Sequence, residues 1–268
     1  MRSLCSAVAG LVAFVGALGA QADTTGPPRP LFTWRDGILA GGFVVGTIAI
    51  RPLDARAAAR LQDSATQMNR VMTTAAIGFR NIAVPGSVVI GVSMYAIGRA
   101  SGNHRFADLG LHGTEALFIG EGVASLIKGL VGRARPLVDV KNPDDYQLLR
   151  GFRGDDKFRS FPSGHTVAGF AAAAAVSAET SRWWPNSVWY IGPVMYGGAA
   201  LVGWSRMYNN RHWASDVIMG AAIGTFAGTK VVRYHHTHPG NALDRWLLNF
   251  SMSPSDPRSL TLSLIPLK

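Results

Sequence analysis

Three short clusters of polar residues carry side chains that suit phosphoryl transfer. The first pairs Lys128 with Arg135, which lies seven residues further on and directly before Pro136. Because seven residues make two helical turns, we expect both cations to project from one face of a helix that the proline ends. An ammonium beside a guanidinium that binds two oxygens at once would clamp a phosphate. Taken alone, basic residues at a helix end also complement the dipole or flank a membrane.

The second cluster is Phe161-Pro-Ser-Gly-His165, directly before an apolar run. Ser163 is a good helix N-cap, and the free N–H groups of a first helical turn bind anions. Gly164 lets the backbone approach an oxyanion closely, and His165 lies at the rim of such a site. A capped helix with an incidental histidine is the simpler interpretation of this cluster when it is taken alone.

The third cluster contains Ser205 and Arg206, followed by His212 and Asp216, which are four residues apart. On a helix this spacing puts the imidazole and the carboxylate on one face. A carboxylate that binds one imidazole nitrogen fixes the tautomer and leaves the other nitrogen free to attack. Arg206 lies just upstream to bind phosphoryl oxygens. Such His–Asp pairs are also common on ordinary exposed helices.

In this order the three clusters resemble the motifs of the type 2 phosphatidic acid phosphatase family, which includes vanadium haloperoxidases and bacterial non-specific acid phosphatases. The family pattern is Lys-x6-Arg-Pro, Pro-Ser-Gly-His and Ser-Arg-x5-His-x3-Asp, and residues 107–233 contain it without a departure. The resemblance implies a metal-independent, cofactor-free phosphatase that hydrolyses phosphate monoesters or pyrophosphates, mainly of lipids, through a phosphohistidine.

The resemblance also implies a role for each matching residue. His212 would be the nucleophile, Asp216 would orient it, and His165 would protonate the leaving oxygen. The phosphate-binding groups would be those of Lys128, Arg135, Ser163, Gly164 and Arg206. No metal ligands are implied beside these motifs. Four carboxylates of the loop at 132–163 lie among lysines and arginines, and we interpret them as part of a solvated charged loop; they are Asp144, Asp145, Asp155 and Asp156.

Two features outside the motifs have open interpretations. Glu121 lies seven residues before Lys128, so it either pairs with a site cation or forms a structural buried ion pair. The turn His235-His236-Thr-His238 has the residue types of a metal site, although an ordinary polar turn is the simpler interpretation.

The pattern of residues is typical of a helical protein, with apolar runs broken by short polar connectors. It predicts an all-α bundle of about six core helices, partly or wholly embedded in a membrane. The expected helices are near 36–50, 55–79, 83–99, 106–131, 164–181, 187–204 and 212–233. The expected organisation is a signal peptide at 1–22, N-terminal helices at 23–105, a phosphatase core at 106–233 and an unassigned tail at 234–268, in which only 260–265 alternates like a strand.

Membrane crossing is less certain than helix formation in this sequence. The segments 81–98 and 183–205 are uncharged and long enough to span, whereas 37–50 and 217–229 are short. The helix around 106–131 carries several charges, which are costly in lipid unless they face protein. Trp183, Trp184 and Trp189 would form an interfacial belt in a membrane protein or ordinary core in a soluble bundle.

The N-terminus and the charge indicate the compartment and the partners. Arg2, an apolar run and Ala20-Gln-Ala22 are typical of a secretory signal peptide, and the only cysteine, Cys5, lies inside it. The net charge of +10 favours anionic partners. With the motifs, it predicts an anionic lipid phosphate and no nucleic acid, in a cell-envelope protein with a periplasm-facing site.

Three other functions fit parts of the sequence. A soluble periplasmic acid phosphatase of broad substrate range would use the same chemistry without a membrane. A vanadium-dependent haloperoxidase would bind vanadate in the same pocket. A non-catalytic envelope protein would keep the fold alone, but the intact His165, His212 and Asp216 speak against it.

Overall fold

The computed structural model describes residues 30–238, 241, 242 and 244, and for the backbone alone 250–256 and 259–264. The predicted signal peptide lies outside the described residues. The helices are α1 (Trp34–Ile50), α2 (Asp54–Leu61), α3 (Ser64–Gln67), α4 (Arg70–Asn81), α5 (Ser87–Ser101), α6 (His104–Val131), α7 (Gly164–Trp183), α8 (Ile191–Tyr208) and α9 (Ala214–Thr237). A π-helical segment, Ile82–Gly86, joins α4 to α5, and strands β1 (Phe250–Asp256) and β2 (Ser259–Leu264) form an antiparallel hairpin.

The predicted all-α bundle is confirmed, but one expected helix and one of the stretches long enough to span a membrane are interrupted. The helix expected at 55–79 breaks before Ser64 and again before Arg70. At each break a side chain caps the next helix: Asp63 accepts from the N–H of Ala65, and Asn69 from the N–H of Val71. The apolar stretch 183–205 breaks where Pro185 opens a 3-10 turn between α7 and α8.

The centre of the bundle is built from helices with small side chains. α7 packs against α8 and α9, and α6 packs against α5, α7 and α9. On α9, Gly224 and Gly228 face α7 so closely that an added Cβ would come within 2.3 Å of the Val167 carbonyl oxygen and 2.5 Å of the Ala171 carbonyl oxygen. Small residues at such spacing bring helix backbones together, as is common within membranes.

Two helical segments are long and apolar enough to cross a membrane, Trp34–Leu61 and Arg70–Ser101. Only 11% of the apolar window of each is buried in the protein, unlike the core helix of a soluble bundle. Their exposed side chains include Ile38, Val45, Ile48, Val89, Ile90 and Ile97. Apolar surface of this extent marks contact with a membrane or a partner. Trp184 and Trp189 are also exposed, so the interpretation of these two as ordinary core is wrong.

Candidate active site

The first cluster lies where α6 ends, at Val131 as the sequence predicted, so Arg135 lies beyond the helix. Gly132 adopts φ +56° and closes the helix, and an added Cβ there would come within 2.2 Å of the Gln147 carbonyl oxygen. The chain then runs extended, and Arg133 forms a β-bridge with Tyr146. Lys128 and Arg135 therefore do not share a helix face, and that prediction is wrong. Both side chains nevertheless line the same cavity.

The second cluster begins α7, with Ser163 at the N-cap position. Gly164 and His165 line the cavity, and the unpaired N–H groups of this first turn are available to an anion. The Ser163 hydroxyl is fully buried and accepts a hydrogen bond from the Thr166 hydroxyl at 2.8 Å. Ser163 is not among the residues that line the cavity, so the structure does not bring its hydroxyl to the other predicted phosphate ligands.

The third cluster places His212 in the connection between α8 and α9, just before the helix. Its Nδ1 lies 2.7 Å from the carbonyl oxygen of Ser160. Because a carbonyl can only accept, Nδ1 carries the proton and Nε2 keeps its lone pair. The Asp216 carboxylate lies 3.7 Å from Nδ1, beyond hydrogen-bond distance. Ser160 therefore fixes the tautomer, a residue that the sequence motifs did not single out.

The Asp216 carboxylate sits at the centre of a buried network. It accepts hydrogen bonds from the Arg133 guanidinium at 2.6 Å, from the Ser160 hydroxyl at 2.5 Å and from the N–H of Trp213 at 2.9 Å. Arg133 also binds Asp54, which comes just after α1, at 2.8 Å. The side chains of Arg133, Asp54 and Asp216 are fully buried. The network therefore ties the N-terminal helices to the residue beside His212.

The residues of the three clusters surround one open cavity of about 760 Å³. Its cations are Arg80, Lys128, Arg135, Arg206 and Arg211. Two buried donors in it, Arg206 Nε and Asn209 Nδ2, have no hydrogen-bond partner among the described residues. Because an unpaired buried donor is costly, both suit an anionic acceptor in the cavity. Asn209, Arg80 and Arg211 lie outside the family pattern, and no sequence signal separated them from other polar residues.

Two carboxylates lie among these cations. Asp156 is two-thirds exposed, as a solvated loop requires, yet it lines the cavity and binds Arg135 at 2.6 Å and Arg211 at 3.4 Å. Glu121 lies beside Lys128: a Cβ added at Gly164 would come within 2.7 Å of the Glu121 carboxylate and 2.6 Å of the Lys128 ammonium. Glu121 forms no ion pair among the described residues, and its buried Oε1 has no hydrogen-bond partner there, so its position beside Lys128 in the cavity confirms neither interpretation.

Both histidines of the cavity lie outside the two candidate spans and are held neutral. Burial lowers the pKa of His212 to about 4. Burial and the charge of Arg206 lower the pKa of His165 to about 3. A phosphate in the cavity would bring negative charge next to both rings and raise both pKa values. A bound anion would thus favour the protonated form of His165.

One wall of the cavity is apolar. Val84 and Val88 contribute to it from the π-helical segment and α5, and Leu117 and Phe118 contribute from α6. Phe118 is also 59% exposed on the outer surface of the bundle. The cavity therefore joins a cationic centre to the apolar exterior of the helices.

Comparison with known proteins agrees with this geometry. Residues 111–239 match the sequence profile of the PAP2 superfamily. A lipid A 1-phosphatase of Porphyromonas gingivalis is 46% identical over 69 residues, which are 26% of this chain and 15% of that protein. A lipid A 1-phosphatase of Rhizobium johnstonii is 35% identical over 109 residues, 39% of this chain and 38% of that protein. An undecaprenyl-diphosphatase of Sulfolobus acidocaldarius is 30% identical over 88 residues, 33% of this chain and 39% of that protein.

These relatives share only part of their length with this chain, which spans two fifths or less of each of them. The crystal structure of a transmembrane PAP2 type phosphatidylglycerolphosphate phosphatase from Bacillus subtilis superposes with a TM-score of 0.52 at 20% identity, over 74% of this chain and 94% of that one. Its likeness shows a shared fold. Residues 111–239, which carry every residue of the three motifs, therefore belong to the PAP2 superfamily.

Proposed function

We propose that this protein is a metal-independent phosphatase that removes phosphate from an anionic lipid through a phosphohistidine at His212. The observation that carries the proposal is the free Nε2 of His212 in a cavity lined by five cationic side chains. Phosphoryl transfer needs mainly positioning and stabilisation of negative charge, and this cavity supplies both. The phosphatase names of the relatives support the same reaction class.

The proposed reaction has two steps. Nε2 of His212 attacks phosphorus, the P–N bond forms and the P–O bond to the lipid breaks while His165 protonates the leaving oxygen. A water molecule then attacks the phosphohistidine, with neutral His165 taking its proton, and inorganic phosphate leaves. Lys128, Arg135 and Arg206, with the N–H groups at Gly164, hold the phosphoryl oxygens in both steps.

Asp216 and Ser163 do not line the cavity, so in this proposal they act through their neighbours and not on the substrate. Asp216 accepts a hydrogen bond from the Ser160 hydroxyl, and the Ser160 carbonyl accepts one from His212 Nδ1. The carboxylate therefore orients the imidazole ring indirectly, through Ser160. Its negative charge, 3.7 Å from Nδ1, also acts on the ring directly. Ser163 stands at the N-cap position of the helix whose first turn faces the phosphate, although its hydroxyl binds the Thr166 hydroxyl and makes no capping hydrogen bond.

The apolar wall favours a lipid substrate over a soluble one. When the cations bind the phosphate, the alcohol part of the substrate would lie beside the apolar wall, next to helices with exposed apolar faces. The wall is formed by Val84, Val88, Leu117 and Phe118. Acyl chains fit such a path to the exterior, whereas a polar soluble substrate gains nothing from it. Lipid A 1-phosphate and a polyprenyl diphosphate, which two kinds of relative are named for, are the substrates to test first.

The test measures phosphate release in detergent with EDTA, using lipid A, undecaprenyl diphosphate, phosphatidate and p-nitrophenyl phosphate. We expect wild-type activity to survive EDTA and His212→Ala to lose about 10⁴-fold or more, because the nucleophile is gone. His104→Ala, which changes an exposed histidine at the start of α6, is the matched control and should keep full activity. Loss of wild-type activity in EDTA, or activity in His212→Ala, would contradict the mechanism.

The same assay tests the substrate class with Phe118→Ala, which shortens the apolar wall and leaves every charged group in place. We expect kcat/KM to fall about tenfold for the lipids and to stay unchanged for p-nitrophenyl phosphate, since only the lipids contact this wall. An equal effect on both substrates, or a preference of the wild type for the soluble ester, would favour the soluble acid phosphatase instead.

A further inference from the structure

A second cluster of titratable side chains lies at the end of the bundle opposite the cavity. Its members are His112 and Glu115 on α6, Glu179 on α7, His235 and His236 on α9, and Asp244 beyond α9. His112 precedes Lys128 by 16 residues of the same helix, which is about 24 Å at 1.5 Å per residue. These groups are therefore too far away to take part in phosphoryl transfer.

His112 has one ring nitrogen that is bonded and one that is not. Its Nδ1 lies 2.5 Å from a carboxylate oxygen of Glu179, which accepts the Nδ1 proton. Its Nε2 is buried and has no hydrogen-bond partner among the described residues, and the residue as a whole is only 2% exposed. A buried nitrogen lone pair without a partner is costly in a protein interior.

His235 stacks on His112, with the ring centroids 4.1 Å apart. Its Nε2 lies 2.5 Å from Glu115, and its Nδ1 lies 2.6 Å from an oxygen of Asp244. Ligand atoms of His112, His235 and Asp244 lie within 4.8 Å of one another, and all three residues are buried. The three ligand atoms thus lie close together, and a turn of one of the two stacked rings would let both nitrogens face one ion.

We propose that His112 Nε2, His235 Nδ1 and the Asp244 carboxylate bind a zinc ion. Zinc takes imidazole nitrogen and carboxylate oxygen as ligands in tetrahedral sites, and water can fill the fourth position. Histidines that bind a metal usually donate their other N–H to a carboxylate, which fixes the tautomer. Both histidines have this arrangement here, His112 with Glu179 and His235 with Glu115.

A second group of three, His112, Glu179 and His236, is also close enough to hold a metal. An ion there would bind Nδ1 of His112 and would leave its buried Nε2 without a partner. It would also take Glu179 away from its hydrogen bond to His112. The site with Asp244 satisfies the unpaired nitrogen and keeps the bonds of His112 to Glu179 and of His235 to Glu115, while zinc replaces the hydrogen bond between His235 Nδ1 and Asp244.

The consequence of the zinc site is structural. Asp244 follows the end of α9, and its side chain is held to the bundle by His235 and by Asn241, whose amide lies 2.5 Å from it. Through its bonds to Asp244, His112 and His235, zinc would join this segment to α6 and α9. Without the ion, the Asp244 carboxylate has no bond to His112 on α6. Bound metal stabilises the folded state by mass action, because the separated ligands of an unfolded chain bind it weakly.

The test uses full-length protein with a tag free of histidine, treated with EDTA, dialysed, loaded with zinc and freed of excess. We expect one zinc per chain by elemental analysis and a melting temperature that zinc raises. Asp244→Ala and His112→Ala should each abolish zinc retention and the zinc-dependent shift. Asp244 lies beyond α9, outside the helices of the bundle, so its variant keeps the test decisive if loss of the buried His112 ring impairs folding.

His238→Ala and His236→Ala are the matched controls, because they change the same turn without removing a proposed ligand. Both should retain one zinc per chain. The proposal is overturned if wild-type protein holds no zinc, or if Asp244→Ala retains it. Loss of zinc in His236→Ala with retention in Asp244→Ala would assign the ion to the group with Glu179 and would equally overturn it.

Discussion

His212 is held by a carbonyl oxygen on one side and faces the cavity with the other nitrogen. The bond from Nδ1 to Ser160 fixes the tautomer, and the Asp216 carboxylate, 3.7 Å from Nδ1, receives the Ser160 hydroxyl. Burial keeps the ring neutral by lowering its pKa to about 4. A neutral imidazole with a free Nε2 is the form that can attack phosphorus, so the surroundings of this one residue prepare it for the proposed role.

The low pKa of His212 predicts an unusual response to acid. Diethyl pyrocarbonate modifies neutral imidazole, so an unperturbed histidine of pKa 6.5 reacts about 25-fold more slowly at pH 5 than at pH 7. With a pKa of about 4, His212 stays mostly neutral at pH 5, and we expect nearly equal rates at the two pH values. Peptide mass spectrometry of briefly treated protein measures the rate at His212, with correction for reagent hydrolysis. A 25-fold drop at His212 would show that burial does not depress its pKa.

At the scale of residues, the sequence predicted which side chains line the cavity better than it predicted the residues that support them. Lys128, Arg135, His165, Arg206 and His212 line one cavity because the chain returns to it at three helix ends. The supporting residues could not be predicted, since Ser160 acts through a backbone carbonyl that any residue has. Asp54 is distant in sequence, and only the packing of α1 and α2 against α9 brings it to Arg133.

The ends of the elements around the site are held by the Asp54–Arg133–Asp216 network. Removing one partner of a buried ion pair costs about 3–5 kcal/mol, whereas an exposed pair contributes about 0–1 kcal/mol. We therefore expect Asp54→Asn to lower the melting temperature strongly and to reduce kcat more than it raises KM, because Arg133 also holds Asp216. Thermal unfolding and steady-state kinetics in detergent measure the two effects.

The control for this variant is Arg51→Ala. Arg51 is paired with Asp144 at 2.7 Å, but both side chains are at least half exposed. Arg51 lies three residues before Asp54, so both variants change the same short segment of the chain. Similar losses of stability in Arg51→Ala and Asp54→Asn would show that the buried network is not what holds these helix ends.

Helix boundaries were predicted from the sequence only where local chemistry decides them. Ser163 is at the N-cap position of α7, and α6 ends at Val131, both as predicted, but the sequence also placed Arg135 on the helix face of Lys128, because the proline at 136 was a strong signal for a helix end. The left-handed conformation of Gly132 is imposed by the loop that packs over it at Gln147. Such long-range contacts override local propensity and are not visible in a single sequence.

The directions of the helices relate the cavity to the two sides of a membrane. The two ends of α1 lie at opposite ends of the bundle. Asp36, at the start of α1, pairs with Lys230 near the end of α9. Asp54, at the start of α2, binds Arg133 beside the cavity. The chain then passes Gln67, which bonds to the Tyr208 carbonyl near the cavity, and returns along α4 and α5 to the far end. If α1 crosses a bilayer, the cavity and Trp34 lie on opposite sides. A periplasm-facing site and signal cleavage after Ala22 then exclude each other.

We expect the cavity to face the periplasm, with Trp34 on the cytoplasmic side and the N-terminus retained. In a Cys5→Ala background the chain has no other cysteine, so single cysteines report their side of the membrane. Met68, 76% exposed near the cavity, and Ser101, exposed at the far end, are the matched positions. A membrane-impermeant maleimide on intact cells should label Met68→Cys and should label Ser101→Cys only after lysis. The reverse pattern would mean that the cavity faces the cytoplasm. Labelling of both positions on intact cells would mean a soluble exported protein. The apolar wall at Phe118 would then face no bilayer from which a lipid could enter the cavity.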